Sequence, residues 1–319
     1  MKIYILCPAN RTTGGIELVH QMCYVINNYT HCQAGIWYTD YENEITSNNI
    51  CIDAAEPVEY ECYQTSHAKN FNEIDLKENF IIFPEGLTTW MPLVKNARKI
   101  IWWMSVDNYV FATNENDMEF IAKNTFLHLY QSCYAQKYVE RKIPGAKGMF
   151  VSDYINKEYG QFIWPPEKRK NIALYNPKKG LLELKPFIVE NNWIKWIPLY
   201  KLSRMDMIAY MQISKIYIDF GNHPGKDRIP REAAANGCCV ITNKKGAAAF
   251  YEDVPIPEEY KFEDTKAQFN EICALMHDIC DDFTMHQSKF EEYRSIIKGE
   301  KQRFIDEVVE FTKYVEQVL

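Results

Sequence analysis

The chain has 319 residues, enough for two cores rather than one, with hydrophobic (47%) and charged (25%) shares ordinary for a globular protein. Its formal net charge of −7 argues against wholesale nucleic-acid binding, and no run of about 18 apolar residues is present to span a membrane. The opening Met1-Lys2-Ile3-Tyr4-Ile5-Leu6 reads as a strand rather than a signal peptide, so a cytoplasmic location is expected.

Residues 2–8 form a continuous apolar run, the sign of a strand buried on both faces of a parallel sheet. A polar turn carrying Gly14 and Gly15 follows. Ile16, Val19, Cys23 and Ile26 then recur at helical spacing. This is a βα unit with a glycine loop at the carboxyl end of its strand, where open α/β sheets bind ligands. Further strands are expected at 34–38, 80–83, 99–104, 125–131 and 148–152, and helices at 117–123 and 135–141. Residues 40–75 are polar and irregular and give no assignable element.

Two prolines and a run of charge make residues 164–170 a linker. A second α/β series begins with a strand at 171–175, a polar loop at 176–180 and a helix. Strands at 193–198, 216–220 and 238–242 follow, with helices at 204–213 and 231–236 and a charged helical end. The expected architecture is two Rossmann-like parallel-sheet domains, residues 1–165 and 166–319.

The ten cysteines show no CxxC pair and no His at ligand spacing, so reduced, mostly buried thiols and no structural zinc are expected. Aromatic residues reach 14%, a share that suits either bulky cores or a cleft that stacks on sugar rings.

The densest polar stretch runs from 216 to 242. An apolar strand enters a glycine-bearing loop, then a short helix with Pro230 in its first turn and Gly237 just past its end, then another strand. The loop holds His223, Lys226, Asp227 and Arg228, with Arg231 and Glu232 at the helix start. Unpaired backbone N–H groups beside three basic side chains suit a diphosphate, and Glu232 suits ribose hydroxyls.

Arg231-Glu232-Ala233-Ala234-Ala235-Asn236-Gly237-Cys238-Cys239-Val240-Ile241-Thr242 resembles the donor-site signature of bacterial GT-B glycosyltransferases. Phe83-Pro84-Glu85, Trp103-Met104-Ser105-Val106-Asp107 and Asn171-Ile172-Ala173-Leu174-Tyr175-Asn176-Pro177-Lys178-Lys179-Gly180 are also similar to segments of such enzymes. The resemblance implies a GT-B fold, two Rossmann-like domains facing a cleft, acceptor side first and donor side second. It implies that Glu232 binds ribose, that Lys178 and Lys179 neutralise donor phosphates, and that Gly14 and Gly15 form the glycine loop opposite the donor. It also implies a terminal helix, residues 304–318, returning to the first domain. The chain departs from the family at Pro224, where a second Glu is usual, and at Asn176, where an Arg is usual.

Glu85 and Asp107 each end an apolar strand, and either could take the proton of an acceptor hydroxyl. His20 and His128 sit in apolar surroundings and read as core histidines. No Asp-x-Asp stands in the strand context of metal-dependent sugar transferases, so no cofactor and no required metal is expected, Lys and Arg balancing the phosphates. Lys137, Arg141, Lys142 and Lys147 could meet a membrane surface carrying a lipid-linked acceptor, or be a solvated helix end. The expected function is transfer of a sugar from a nucleotide-sugar to a glycan or lipid-linked acceptor, in surface polysaccharide or lipo-oligosaccharide synthesis. A nucleotide-sugar epimerase of the same fold and a non-catalytic sugar-binding protein are the alternatives.

Overall fold

The computed structural model describes residues 1–40, 46, 49–112 and 117–318. The chain divides into two compact units, Met1–Asp153 with Gln302–Leu319, and Tyr154–Lys301.

The first unit contains β1 (Ile3–Pro8), α1 (Gly14–Tyr29), β2 (Ala34–Thr39), β3 (Phe80–Pro84), β4 (Arg98–Trp103), α2 (Val106–Ala112), α3 (Asp117–Asn124), β5 (Thr125–Tyr130), α4 (Cys133–Lys142) and β6 (Gly148–Phe150). Its strands form one sheet of order β2-β1-β3-β4-β5-β6, with each adjacent pair parallel. Both faces are covered, so β1, β2 and β3 are apolar and buried almost end to end. Thr13 caps α1 by accepting the Ile16 N–H at 3.3 Å, which starts the helix at the glycine pair. The core gathers Leu6, Trp37, Ile81, Phe83, Ile101 and Trp103.

The second unit contains β7 (Lys170–Tyr175), α5 (Leu181–Glu190), β8 (Lys195–Pro198), α6 (Arg204–Ile213), β9 (Ser214–Asp219), α7 (Arg228–Ala235), β10 (Cys239–Asn243), β11 (Lys261–Phe262), α8 (Phe269–Asp281) and α9 (Phe283–Ser288). Its sheet, again parallel, has the order β11-β10-β9-β7-β8. Helix α7 closes with Gly237 N–H bonded to Ala234 O (2.9 Å) and Cys238 N–H to Ala233 O (3.0 Å), the paired C-terminal bonds that a glycine past the last turn allows. Cys238 and Cys239 are wholly buried and pack as small apolar side chains. Residues 154–165 cluster with this unit.

Helix α10 (Glu291–Gln317) starts in the second unit and ends in the first. Phe304 stacks on Trp102, and the Ser152 backbone N–H and hydroxyl both donate to Glu307, at 2.7 and 2.6 Å. No helix among the described residues is long and apolar enough to cross a membrane.

Candidate functional site

In the second unit, β9 ends at Asp219, and the loop beyond it is held by short-range bonds that owe nothing to a ligand. Asp219 accepts the Gly221 N–H at 3.0 Å and the Tyr217 hydroxyl at 3.1 Å. Asn243, at the end of β10, donates to the carbonyls of Phe220 (2.6 Å) and Gly221 (2.9 Å). The Ala247 N–H donates to His223 O at 2.8 Å. Gly246 makes that approach possible: its φ is +56°, and a Cβ there would collide with the His223 carbonyl.

Side chains divide this loop into three groups. His223, Asp227 and Lys179 meet Asp219 in one cluster. His223 Nδ1 lies 2.8 Å from Asp227, and the Lys179 ammonium bonds Asp227 and, at 3.3 Å, Asp219. Burial pushes the Asp227 carboxyl up, but the His223 hydrogen bond and the Lys179 charge outweigh it and hold Asp227 below the usual carboxylate range. Asp219, His223 and Asp227 offer ligand atoms within 4.8 Å of one another, a mixed imidazole and carboxylate set of the kind transition-metal dications accept. Here the cation among them is Lys179.

The second group faces inward. Lys226 and Arg231 each lie 2.9 Å from a different oxygen of Glu300, with exposures of 6%, 0% and 1% in that order. Arg231 also donates to the carbonyls of Asp227 (3.1 Å) and Lys226 (2.9 Å). Two of the three basic residues expected at a diphosphate thus brace the loop from behind. They are long side chains at the foot of a helix that buries nearly all its residues, and a carboxylate waits in that interior.

Glu232, Arg228 and Lys178 form the third group. Glu232 sits on α7 at 7% exposure, Arg228 opens the helix half-exposed, and Lys178 is exposed beside the Tyr200 ring. Sequence reasoning missed Asp219, Glu300 and Asn243. Asp219 alone carried a local signal, as the acidic end of an apolar strand.

The first unit has a cavity of about 470 Å³, lined by Arg11, Thr13, Gly15, Glu85, Met104 and Asn108 among others. Gly14 lies next to it, exposed on the first turn of α1. Glu85 directly follows β3. It accepts the Met104 N–H at 2.9 Å and the Asn108 amide at 3.4 Å. At 2% exposure, burial pushes its carboxyl up to about 7 against those bonds. Asp107 stands on α2, takes a 3.4 Å bond from the Tyr134 hydroxyl, and among the described residues does not line the cavity. Of the two strand-end carboxylates, then, Glu85 is the one with a cavity and a near-neutral proton.

The two histidines are absorbed elsewhere. His20 Nδ1 lies 3.0 Å from Glu56 and 2.9 Å from Thr65, and His128, lowered by burial to about 4, accepts the Trp103 N–H at 3.0 Å.

No family model matches the chain, and no curated protein matches it in sequence. Solved structures do. A glycosyltransferase from Rickettsia africae aligns with a TM-score of 0.68 at 13% identity, covering 98% of each chain. HepE of Anabaena in complex with UDP aligns at 0.66 and 12%, covering all of both chains. Sucrose-phosphate synthase of Thermosynechococcus elongatus aligns at 0.63 and 12%, covering 100% of this chain and 99% of its own. At these identities the likeness is one of fold. The two parallel α/β units are those of the GT-B glycosyltransferase fold.

Proposed function

We propose that this protein is a glycosyltransferase that moves a sugar from a nucleotide-sugar to a hydroxyl acceptor, a glycan or a lipid-linked sugar of a surface polysaccharide, at the cytoplasmic membrane face. The observation that carries the reading is the pre-built loop after β9. It presents Arg228, Glu232 and the start of α7 on a fold whose solved neighbours include HepE with UDP and with UDP-glucose.

In this reading the second unit binds the donor. Glu232 accepts the ribose hydroxyls, while Arg228, Lys178 and the N–H groups opening α7 meet the diphosphate, so no metal is called for. Lys179, His223 and Asp227 hold the loop's shape, and Lys226 and Arg231 anchor it from within. The first unit binds the acceptor in its cavity, where the Thr13–Gly15 helix start and Arg11 offer donors. Glu85, about half ionised near neutrality, takes the proton of the acceptor hydroxyl as that oxygen bonds to the anomeric carbon. The bond from that carbon to the diphosphate breaks, and the nucleoside diphosphate leaves with the electron pair.

The test is release of nucleoside diphosphate from UDP-, GDP- and ADP-sugars, with and without glycan and polyprenyl-linked acceptors. Release that depends on acceptor and yields a glycosylated product is expected. Conversion of the free nucleotide-sugar to its epimer, or no turnover of any donor, would overturn the assignment.

A further inference from the structure

Two residues lining the cavity of the first unit, Glu85 and Asn108, meet from different elements. Glu85 opens the 3₁₀ segment Glu85–Leu93 after β3, and Asn108 stands on α2. That helix is set by its inner side. Val106 and Tyr109 are buried, the Tyr109 ring lies edge-on to Trp103 at 5.1 Å, and the Asn108 N–H donates to Ser105 O at 3.0 Å. Asn108 itself is left exposed. The backbone after Glu85 runs close beside it, where a Cβ on Gly86 would sit 3.7 Å from the Asn108 Cβ. An exposed side chain thus reaches a carboxylate that is only 2% exposed.

The two oxygens of that carboxylate are held unequally. Oε2 accepts the Met104 N–H at 2.9 Å, an ordinary backbone bond, whereas Oε1 accepts the Asn108 amide at 3.4 Å, at the long end of the range. A carboxylate has about four lone-pair positions, so Oε1 keeps room for a further donor beside the exposed amide. We infer that Asn108 is a positioning residue for the acceptor's proton transfer: its amide holds Glu85 Oε1 toward the acceptor hydroxyl while the Met104 N–H pins Oε2. This inference rests on the reading of Glu85 as the acceptor's base. The hydroxyl proton passes to Oε1, the hydroxyl oxygen bonds to the anomeric carbon, and the nucleoside diphosphate leaves with the electron pair. Asn108 neither gains nor loses a proton. A neutral donor steadies the ionised oxygen without the full positive charge that would deny it the incoming proton. The charged groups around the pair are Arg11, which lines the same cavity, and Asp107, which precedes Asn108 on α2 and takes its 3.4 Å bond from the Tyr134 hydroxyl.

The experiment titrates the Glu85 carboxyl by carbon NMR of the full chain, the resonance being assigned by its loss in Glu85→Gln. In parallel it follows kcat against pH on a donor and acceptor that the wild type turns over. Asn108→Leu removes the donor at an exposed position, so the melting temperature should hardly change. It should raise the Glu85 midpoint, about 7 in the wild type, by about one pH unit and move the kcat inflection with it. At about pH 6.5 turnover should then fall about five- to tenfold, with donor KM within about twofold of wild type. Asn108→Asp keeps the shape but sets a second carboxylate against the first, and should raise the midpoint further. Added to Glu85→Gln, Asn108→Leu should cost nothing more. If neither Asn108 variant moves the midpoint, or if Asn108→Leu costs as much in Glu85→Gln as in wild type, the inference fails and the base reading stands. If the midpoint moves while the kcat inflection stays, or if Glu85→Gln turns over like wild type, the base reading itself falls. A wild type that transfers no sugar overturns both.

Discussion

Glu85 makes two opposite predictions about pH, which is why it is the most testable residue in the chain. As the acceptor's base it must be ionised, so kcat should rise with pH toward about 7 and level off above. Glu85→Gln should lower turnover about 100-fold or more with donor affinity unchanged, and Asp107→Asn, outside the cavity, less than about tenfold. Stability runs the other way. The unfolded carboxyl loses its proton near 4.5, whereas the folded one keeps it to about 7. The folded state therefore binds the extra proton in that window, and the residue's contribution, full below the lower value, is lost as pH rises through the upper one. Glu85→Gln cannot ionise and escapes this loss. Relative to wild type it should gain on the order of 3 kcal/mol between pH 4.5 and pH 8 in urea unfolding. An offset that does not change with pH would place the carboxyl in water.

At the scale of elements, the helix after β9 shows what a row of charges does not disclose. Lys226, Arg228 and Arg231 look alike in the sequence, yet Lys226 and Arg231 are buried against Glu300, 69 positions from Arg231, while Arg228 opens α7 partly exposed. Arg231→Met should thus be a folding variant. It leaves Glu300 with one cation in a closed interior, a change worth about 3–5 kcal/mol, and should lower the melting temperature by several degrees. Arg228→Ala should leave melting nearly unchanged and weaken UDP more than uridine. If the two variants trade these effects, the assignment of inward and outward faces is reversed. Nearly every strand, by contrast, was legible, because a strand buried on both faces must be a continuous apolar run, as Ile3–Pro8 and Phe80–Pro84 are. Residues 49–75 were not. Their order comes from side chains reaching a distant helix, as when the Tyr60 hydroxyl donates to Thr13 O and the Tyr63 hydroxyl to Glu17, and such pairs leave no local periodicity. Strand β11, two residues long, is too short to show a pattern at all.

At the scale of the whole molecule, each unit has its own sheet and core, but the first completes its core with residues from the far end of the chain. Phe304, Val308, Phe311 and Val315 are wholly buried, at the i, i+4, i+7 and i+11 spacing of one helix face. The Arg98 guanidinium donates to Val318 O at 3.0 Å, and Phe126 packs near Tyr314. Removing residues 302–319 would withdraw those four apolar side chains. At about 1.5–3 kcal/mol each, the loss is comparable to the whole stability of an ordinary domain. The truncated chain should therefore lose amide protection throughout β1 to β6. The second unit, whose core lies within Tyr154–Lys301, should keep the protection of β7, β9 and β10 and still bind nucleotide. Hydrogen exchange with and without UDP reads both halves in one measurement. Protected amides in β1 to β6 after truncation would show that the first unit folds without the terminal helix; loss of protection in both sheets would show that the two units unfold as one.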